Sequence, residues 1–203
     1  MKRSILLFVS VAVLGLPSWM AAGAWTMDPA HSSAHFAVRH MMVSTVRGDF
    51  SKLSGTVELD EKDITKSLIQ ASIDVASVNT GVAARDNHLK SADFFEVAQY
   101  PTITFQSRSI EKAADGRLKV TGNLTMHGVT KEVVLDVEPL SPILKDPSGT
   151  LRTGTSGTTR ISRKDFGLTW NRALEGGGVV VSDDVGITID IELSQKSAGK
   201  GPV

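Results

Sequence analysis

The clearest pattern in the chain is a two-residue alternation near its C-terminal end. Val185, Ile187, Ile189, Ile191 and Leu193 are apolar, and Gly186, Thr188, Asp190, Glu192 and Ser194 between them are small or polar. Successive side chains of a strand point to opposite faces, so the alternation predicts a strand with one dry and one wet face. The rhythm returns upstream in Ile69, Ala71, Ile73 and Val75, in Ile103 and Phe105, in Leu118, Val120, Gly122 and Leu124, and in Val133, Leu135 and Val137. Strands with one wet face are typical of antiparallel sheets.

Turn signals cut between these runs. Asp115-Gly116 fits a tight turn, His127-Gly128 the bend of a hairpin joining "VTGNLTM" to "VTKEVVLDV", and Gly176-Gly177-Gly178 a longer loop. Strands spaced by turns predict an all-β sandwich or barrel. The dry faces mix large residues with small ones such as Ala71 and Gly122, which suits a hollow or tapered barrel better than a filled sandwich. A helical pattern is confined to Ala83 to Val97, with Asp93 before Phe94-Phe95 placed to cap its second half. The stretch "DPSGTLRTGTSGTTR" reads as an extended, flexible loop. No repeat and no second domain stand out.

The first residues belong to a different pattern. Lys2 and Arg3 give a basic start, Ile5 to Leu16 form an apolar run, and Ala22-Gly23-Ala24 offers an A-x-A site, the marks of a secretory signal peptide cut before Trp25. A membrane anchor needs roughly 20 apolar residues, and Pro17 and Ser18 interrupt the run too early. The expected organisation is a signal peptide over 1–24, one β-barrel domain over 25–194 and a disordered polar tail over 195–203. Without the leader, 20 basic residues face 22 acidic ones, a formal charge of −2. A surface so near neutral gives no electrostatic reason to expect nucleic acid. With no cysteine, an exported chain uses neither disulfides nor a cysteine-linked lipid anchor, and export points to a bacterial periplasm.

Candidate chemistry is sparse. His31, His35 and His40 fall in "HSSAHFAVRH", and the first two would share a face of a strand, but no HxH or HExxH spacing occurs and no metal is expected. There is no G-x-S-x-G nucleophile elbow, and "DFG" at Asp165 to Gly167 lacks the glycine-rich loop and H-R-D that would give it meaning. No catalytic residue is assigned. The dense stretch "RDNHLKSADFF", Arg85 to Phe95, remains. Asp86, His88 and Asp93 could form an acid-base set, yet charges around a short helix at a barrel rim are more often solvated or paired with one another. Phe94-Phe95 is the sharper feature, because two adjacent aromatics leave at least one to cap the core or line a pocket.

Four ordered blocks carry a resemblance: "WTMDPAHSSAHFAVRHMMVSTVRGDF" with "SGTV", "RDNHLKSADFFEVAQYPTITFQS", "VTGNLTMHGVTKEVVLDV" and "SRKDFGLTW". Together they resemble the YceI-like proteins, periplasmic polyisoprenoid-binding proteins with a lipocalin-like barrel. The resemblance implies an extended antiparallel barrel of about eight strands with a short helix, enclosing a long apolar tunnel for an isoprenoid chain such as a polyprenyl phosphate or quinone tail. It implies no cofactor beyond that bound lipid and no catalytic residue. Matching the blocks and adding strand parity makes Phe36, Val38, Phe94, Phe95, Phe105 and Trp170 the candidate lining. Arg39, His40, Arg85, His88 and Lys90 are candidates for a polar head group.

Burying each methylene is worth about 0.8 kcal/mol, so a prenyl tail can dominate affinity with few directional contacts. The leading reading is a non-enzymatic periplasmic binder that stores, shields or carries the lipid, with transient membrane contact for loading. A lipid-modifying enzyme using Asp86, His88 and Asp93 stays open, as does an envelope-stress interaction module whose exposed loops, such as Leu151 to Arg160, meet a partner. Oligomeric state also stays open, a homodimer included.

Overall fold

The C-terminal alternation builds the longest strand of the molecule, and the rest of the sheet is assembled on its two edges. In the computed structural model, which describes residues 24–195, the strands are β1 (Ala24–Met27), β2 (Ser33–His40), β3 (Ser44–Phe50), β4 (Leu53–Glu58), β5 (Leu68–Asp74), β6 (Val78–Asn79), β7 (Thr102–Lys112), β8 (Leu118–Met126), β9 (Val129–Val137), β10 (Leu144–Lys145), β11 (Leu151–Ser162) and β12 (Val181–Gln195). Among the described residues a single α-helix, α1 (Ala83–Lys90), stands between β6 and β7. Residues 1–23 of the proposed signal peptide and most of the proposed tail lie outside the described residues, while Ala24, placed at the end of the signal peptide, opens β1 opposite Glu58. Gln195, placed at the start of the tail, is instead the last residue of β12 and pairs with Leu151.

Pairing is antiparallel throughout and closes on itself. β1 and β2 lie end to end along one edge of β12, with Thr26 opposite Ser194 and Ser33 opposite Asp190. β4 and β3 follow them in the same way, so each of these two pairs acts as one bent strand. From there β5, β7, β8, β9 and β11 return to the other edge of β12, giving a closed lipocalin-like barrel of eight strands. Closure removes the exposed edges that an open sheet would present. The seams differ: β11 and β12 pair at twelve positions, whereas β9 meets β11 only at Val137–Gly157 and Asp136–Thr158.

The turns at Asp115-Gly116 and His127-Gly128 fall where the sequence places them. Three expectations change. The small residue Gly122 does not leave a void: a Cβ there would lie 2.4 Å from the Phe105 ring, which fills the space itself, and Phe36 covers Gly48 in the same way. The glycines make room for aromatics on the facing strand. Second, the helix stops at Lys90 rather than Val97, because the Ser91 N–H and hydroxyl both donate to the His88 carbonyl and end the ladder. Turns follow, with Glu96 at φ 46°, and Asp93 caps nothing; it receives His88 instead.

Third, "LRTGTSGTTRIS" is not a loop but β11, a full wall of the barrel. Its composition hides the strand because its polar side chains serve the neighbouring seam. The Thr159 hydroxyl donates to the Val134 carbonyl of β9, beyond the two paired positions, and the Thr155 hydroxyl to the carbonyl of Glu138 just past the end of β9, beside the backbone bond from the Glu138 N–H to the Ser156 carbonyl. The idea of Leu151 to Arg160 as an exposed partner loop falls with it.

Candidate functional site

Strand parity turns the alternating apolar residues inward, and they surround a cavity of about 270 Å³ along the barrel axis. Leu89, Phe94 and Phe95 close it at the α1 end, while Met27, Leu53, Val57 and Leu193 line it at the opposite end, where β1 pairs with the end of β12. The polar residues on the wall are His35, Ser67, Glu138, Thr155, Thr159 and Arg163, and each is engaged by the protein. Ser67 accepts the Asp60 N–H, Thr155 and Thr159 donate to the Glu138 and Val134 carbonyls, His35 pairs with Ser33, and Glu138 receives Arg117. What is left facing the space is hydrocarbon, which can hold an apolar chain but cannot orient a polar one.

Arg163 is the wall residue that sequence reasoning missed. It is 4% exposed, and its guanidinium donates to the carbonyls of Leu168, Trp170, Val181 and Ser182 and to the Asp183 carboxylate. Burial pushes its pKa down from the ordinary arginine value, and Asp183 works against that shift. Strand parity was the available signal: Thr159, Ile161 and Arg163 continue one inward face, so a cation falls where an aliphatic residue is expected. The arginine replaces backbone partners that a loop end would otherwise leave unpaired.

Phe36, Val38, Phe94, Phe95 and Phe105 all stand on the cavity wall. Phe50 links two of them, with ring centroids 5.7 Å from both Phe36 and Phe95. Trp170 does not. Arg163 holds the carbonyls of Leu168 and Trp170 so that Leu168 faces the cavity, while the Trp170 ring packs on Phe94 at 5.2 Å and on His88 at 4.9 Å outside the wall. Its place as lining is corrected to a backing for the cap.

None of the five head-group candidates lines the cavity. Arg39 donates to the Met42 and Val43 carbonyls and to Thr45, holding a turn. Arg85 is spent on Thr80, beside Asp86, which accepts the Thr80 N–H and hydroxyl. His88 meets Asp93 at 2.7 Å, so half of the imagined acid-base set exists, while Asp86 is turned to Thr80. His40 pairs through its backbone with Ser44 and Val181, and Lys90 has no side-chain partner among the described residues.

Away from the cavity, Asp28 and His31, in the turn before β2 rather than on a shared strand face with His35, come close enough to Glu192 of β12 to ligate an ion. Arg152 already occupies the centre of that group, bonded to Asp28, Asp146 and Glu192. The Arg152 guanidinium, with the Ala30 N–H, holds the Asp28 carboxyl down to about 2, and Ser148 with Arg152 holds Asp146 below its usual range. The arrangement is an ion-pair knot.

A closed eight-stranded antiparallel barrel around an apolar cavity, capped by one short helix, defines the lipocalin-like class. Within that class the chain belongs to the YceI-like family, whose domain matches residues 25–193. UPF0312 proteins of Staphylococcus aureus strains MSSA476 and N315 are each 40% identical over 171 residues, 84% of this chain and 96% of theirs. Among solved structures, BcnA of Burkholderia cenocepacia superposes with a TM-score of 0.69 at 25% identity, covering 82% of this chain and 98% of its own. The YCEI protein of Campylobacter jejuni gives 0.66 at 34%, covering 78% and 90%. A polyisoprenoid binding domain from Saccharophagus degradans shares the fold, with a TM-score of 0.61 at 21% identity over 83% of this chain and 97% of that one.

Proposed function

We propose that this protein is a non-enzymatic periplasmic binder that holds the hydrocarbon tail of an isoprenoid lipid, a polyprenyl phosphate or a prenyl quinone, inside the barrel. One observation carries the reading: a continuous cavity whose polar wall groups are all satisfied by the protein, leaving hydrocarbon as the only surface offered to a ligand. The Saccharophagus domain, described as polyisoprenoid binding, shows that the same fold is used that way elsewhere. Each buried methylene contributes about 0.8 kcal/mol, so affinity rises with tail length and needs no strong polar anchor.

The cavity, at about 270 Å³, lies just below the range of ligand pockets, which run from about 300 to 1,000 Å³. A long tail therefore enters by displacing the movable part of the wall, and Phe94 with Phe95 is that part: both sit on turns after α1, outside the sheet ladder. The His88–Asp93 pair does not favour an enzyme. It stands at the outer side of Phe94, and the nearby Ser91 hydroxyl is bonded to the His88 carbonyl.

Phe94→Ser with Phe95→Ser tests the reading. Loading of a prenyl quinone, followed by quenching of tryptophan fluorescence, should be lost while the β-sheet circular dichroism spectrum is kept. Undiminished loading by a folded double variant would contradict the assignment.

A further inference from the structure

Between β2 and β3 the chain turns through Met41 and Met42, at φ 51° and 60°, closed by the Val43 N–H donating to the His40 carbonyl. Two central residues with positive φ are what a tight hairpin turn of the type I′ class demands, and Asn-Gly fills that geometry best; L-residues other than glycine, asparagine and aspartate adopt it at a cost. The turn thus accepts backbone strain to carry two methionines. It also exposes them: Met41 is 43% exposed, Met42 60% and Val43 80%, three consecutive apolar residues presented to solvent. Such a run is unfavourable for a surface with no partner.

The charged side chains flanking the tip are mostly basic, and Asp183, which follows in β12, is taken up by Arg163 and Lys164. Residues 36–48 and 170–182 hold Arg39, Arg47 and Arg172 against the single acid Glu175. The two segments adjoin, since Met41 donates its N–H to the Val180 carbonyl and Val180 donates its own to Arg172. Arg39 fixes the turn through the Met42 and Val43 carbonyls, Arg172 lies 5.8 Å over the Trp170 ring, and neither has a carboxylate partner among the described residues. The tip also stands beside the capped end of the cavity: Val38 and Val181 line it, and Val181 pairs with His40.

We propose that the Met41-Met42-Val43 tip is a docking element that inserts into an anionic lipid bilayer, setting the capped end of the barrel against the membrane that holds its ligand. The inference rests on the lipid-binding reading. Apolar side chains at the tip enter the acyl boundary, and guanidinium groups behind them whose charge no carboxylate neutralises meet lipid phosphates through the N–H groups left free, with an aromatic ring at headgroup depth. Charge complementarity selects the bilayer over a second copy of the chain, whose own tip carries the same cations.

Met41→Asn with Met42→Gly separates docking from folding, because it installs the residues the turn prefers while deleting the apolar tip. The folded protein is floated with vesicles of phosphatidylglycerol and phosphatidylethanolamine. The expected result is a partition coefficient lower at least about tenfold, with a thermal midpoint unchanged or higher. Loading of prenyl quinone from vesicles should slow, while loading from dilute detergent stays normal. Equal partitioning of variant and parent, or a change confined to self-association on sedimentation, overturns the proposal. Failure of both proteins to take up quinone from detergent counts against the lipid-binding reading alone, since vesicle partitioning is read separately.

Discussion

The two ends of the barrel are built from opposite materials. Where β1, β11 and the last residues of β12 meet, Trp25 is fully buried among Met27, Leu53, Val57 and Leu193, and outside them Arg152 ties Asp28, Asp146 and Glu192 together. Most of the wall there is paired strand or is locked to one by charge, with only the short 3-10 turn Ile64–Lys66 and the segment at Leu140 filling in from outside the ladder. At the other end the wall is completed by a short helix and the turns after it, held by the His88–Asp93 pair, ring contacts and a few backbone hydrogen bonds. A closed barrel cannot admit a long ligand through its ladder without breaking many hydrogen bonds together. It can admit one where the wall is made of side chains on turns, so the contrast assigns anchoring to one end and exchange to the other.

The contrast breaks most visibly in stability. Trp25→Ala opens a cavity in the sealed end and should cost about 3–5 kcal/mol, whereas Phe95→Ala, on the half-buried cap, should cost about 2 kcal/mol and act mainly on ligand loading. Urea midpoints for the two variants would show whether the ends differ as claimed; equal losses would erase the distinction.

Acid sharpens it next. Asp28, held down to about 2 by Arg152, and Asp146, lowered by Ser148 and Arg152, have folded pKa values below their unfolded ones near 3.8. The stability they add is complete above about pH 4 and is lost as pH falls through the folded values. Arg152→Met lets both carboxyls rise, so the difference in urea midpoint between pH 7 and pH 3 should be smaller in the variant than in the parent. The smallest effect is expected from Asp93→Asn. The His88–Asp93 pair is largely solvated, with side chains 40% and 52% exposed, and its loss should change stability by less than about 1 kcal/mol. A prenyl quinone loading curve that shifted strongly in this variant would give the pair a role it is denied here.

The sequence showed the barrel where apolar and polar residues alternate cleanly, as in β8, β9 and β12, and at two of its glycine turns. It hid β11, because a strand that spends its hydroxyls on a neighbouring seam loses the hydrophobic signature. It hid the bent strands β1–β2 and β3–β4 as well, since their register depends on β12, far away in the chain. The apolar wall was legible from aromatics and parity, with Trp170 as the exception; which way that ring turns is decided by Arg163, through bonds to four backbone carbonyls. The basic residues near Phe94-Phe95 looked like a head-group cluster because sequence shows charge without showing partners. Arg85, His88 and Arg39 turn out to be occupied locally, and no spacing rule reports that.

The central claim is that the cavity holds an isoprenoid lipid, and native mass spectrometry of the protein purified from its own host, followed by solvent extraction and lipid analysis, tests it most directly. The account predicts a stoichiometric bound mass that extraction resolves as a prenyl quinone or polyprenyl phosphate. A clean ligand-free mass that takes up no added isoprenoid would contradict it.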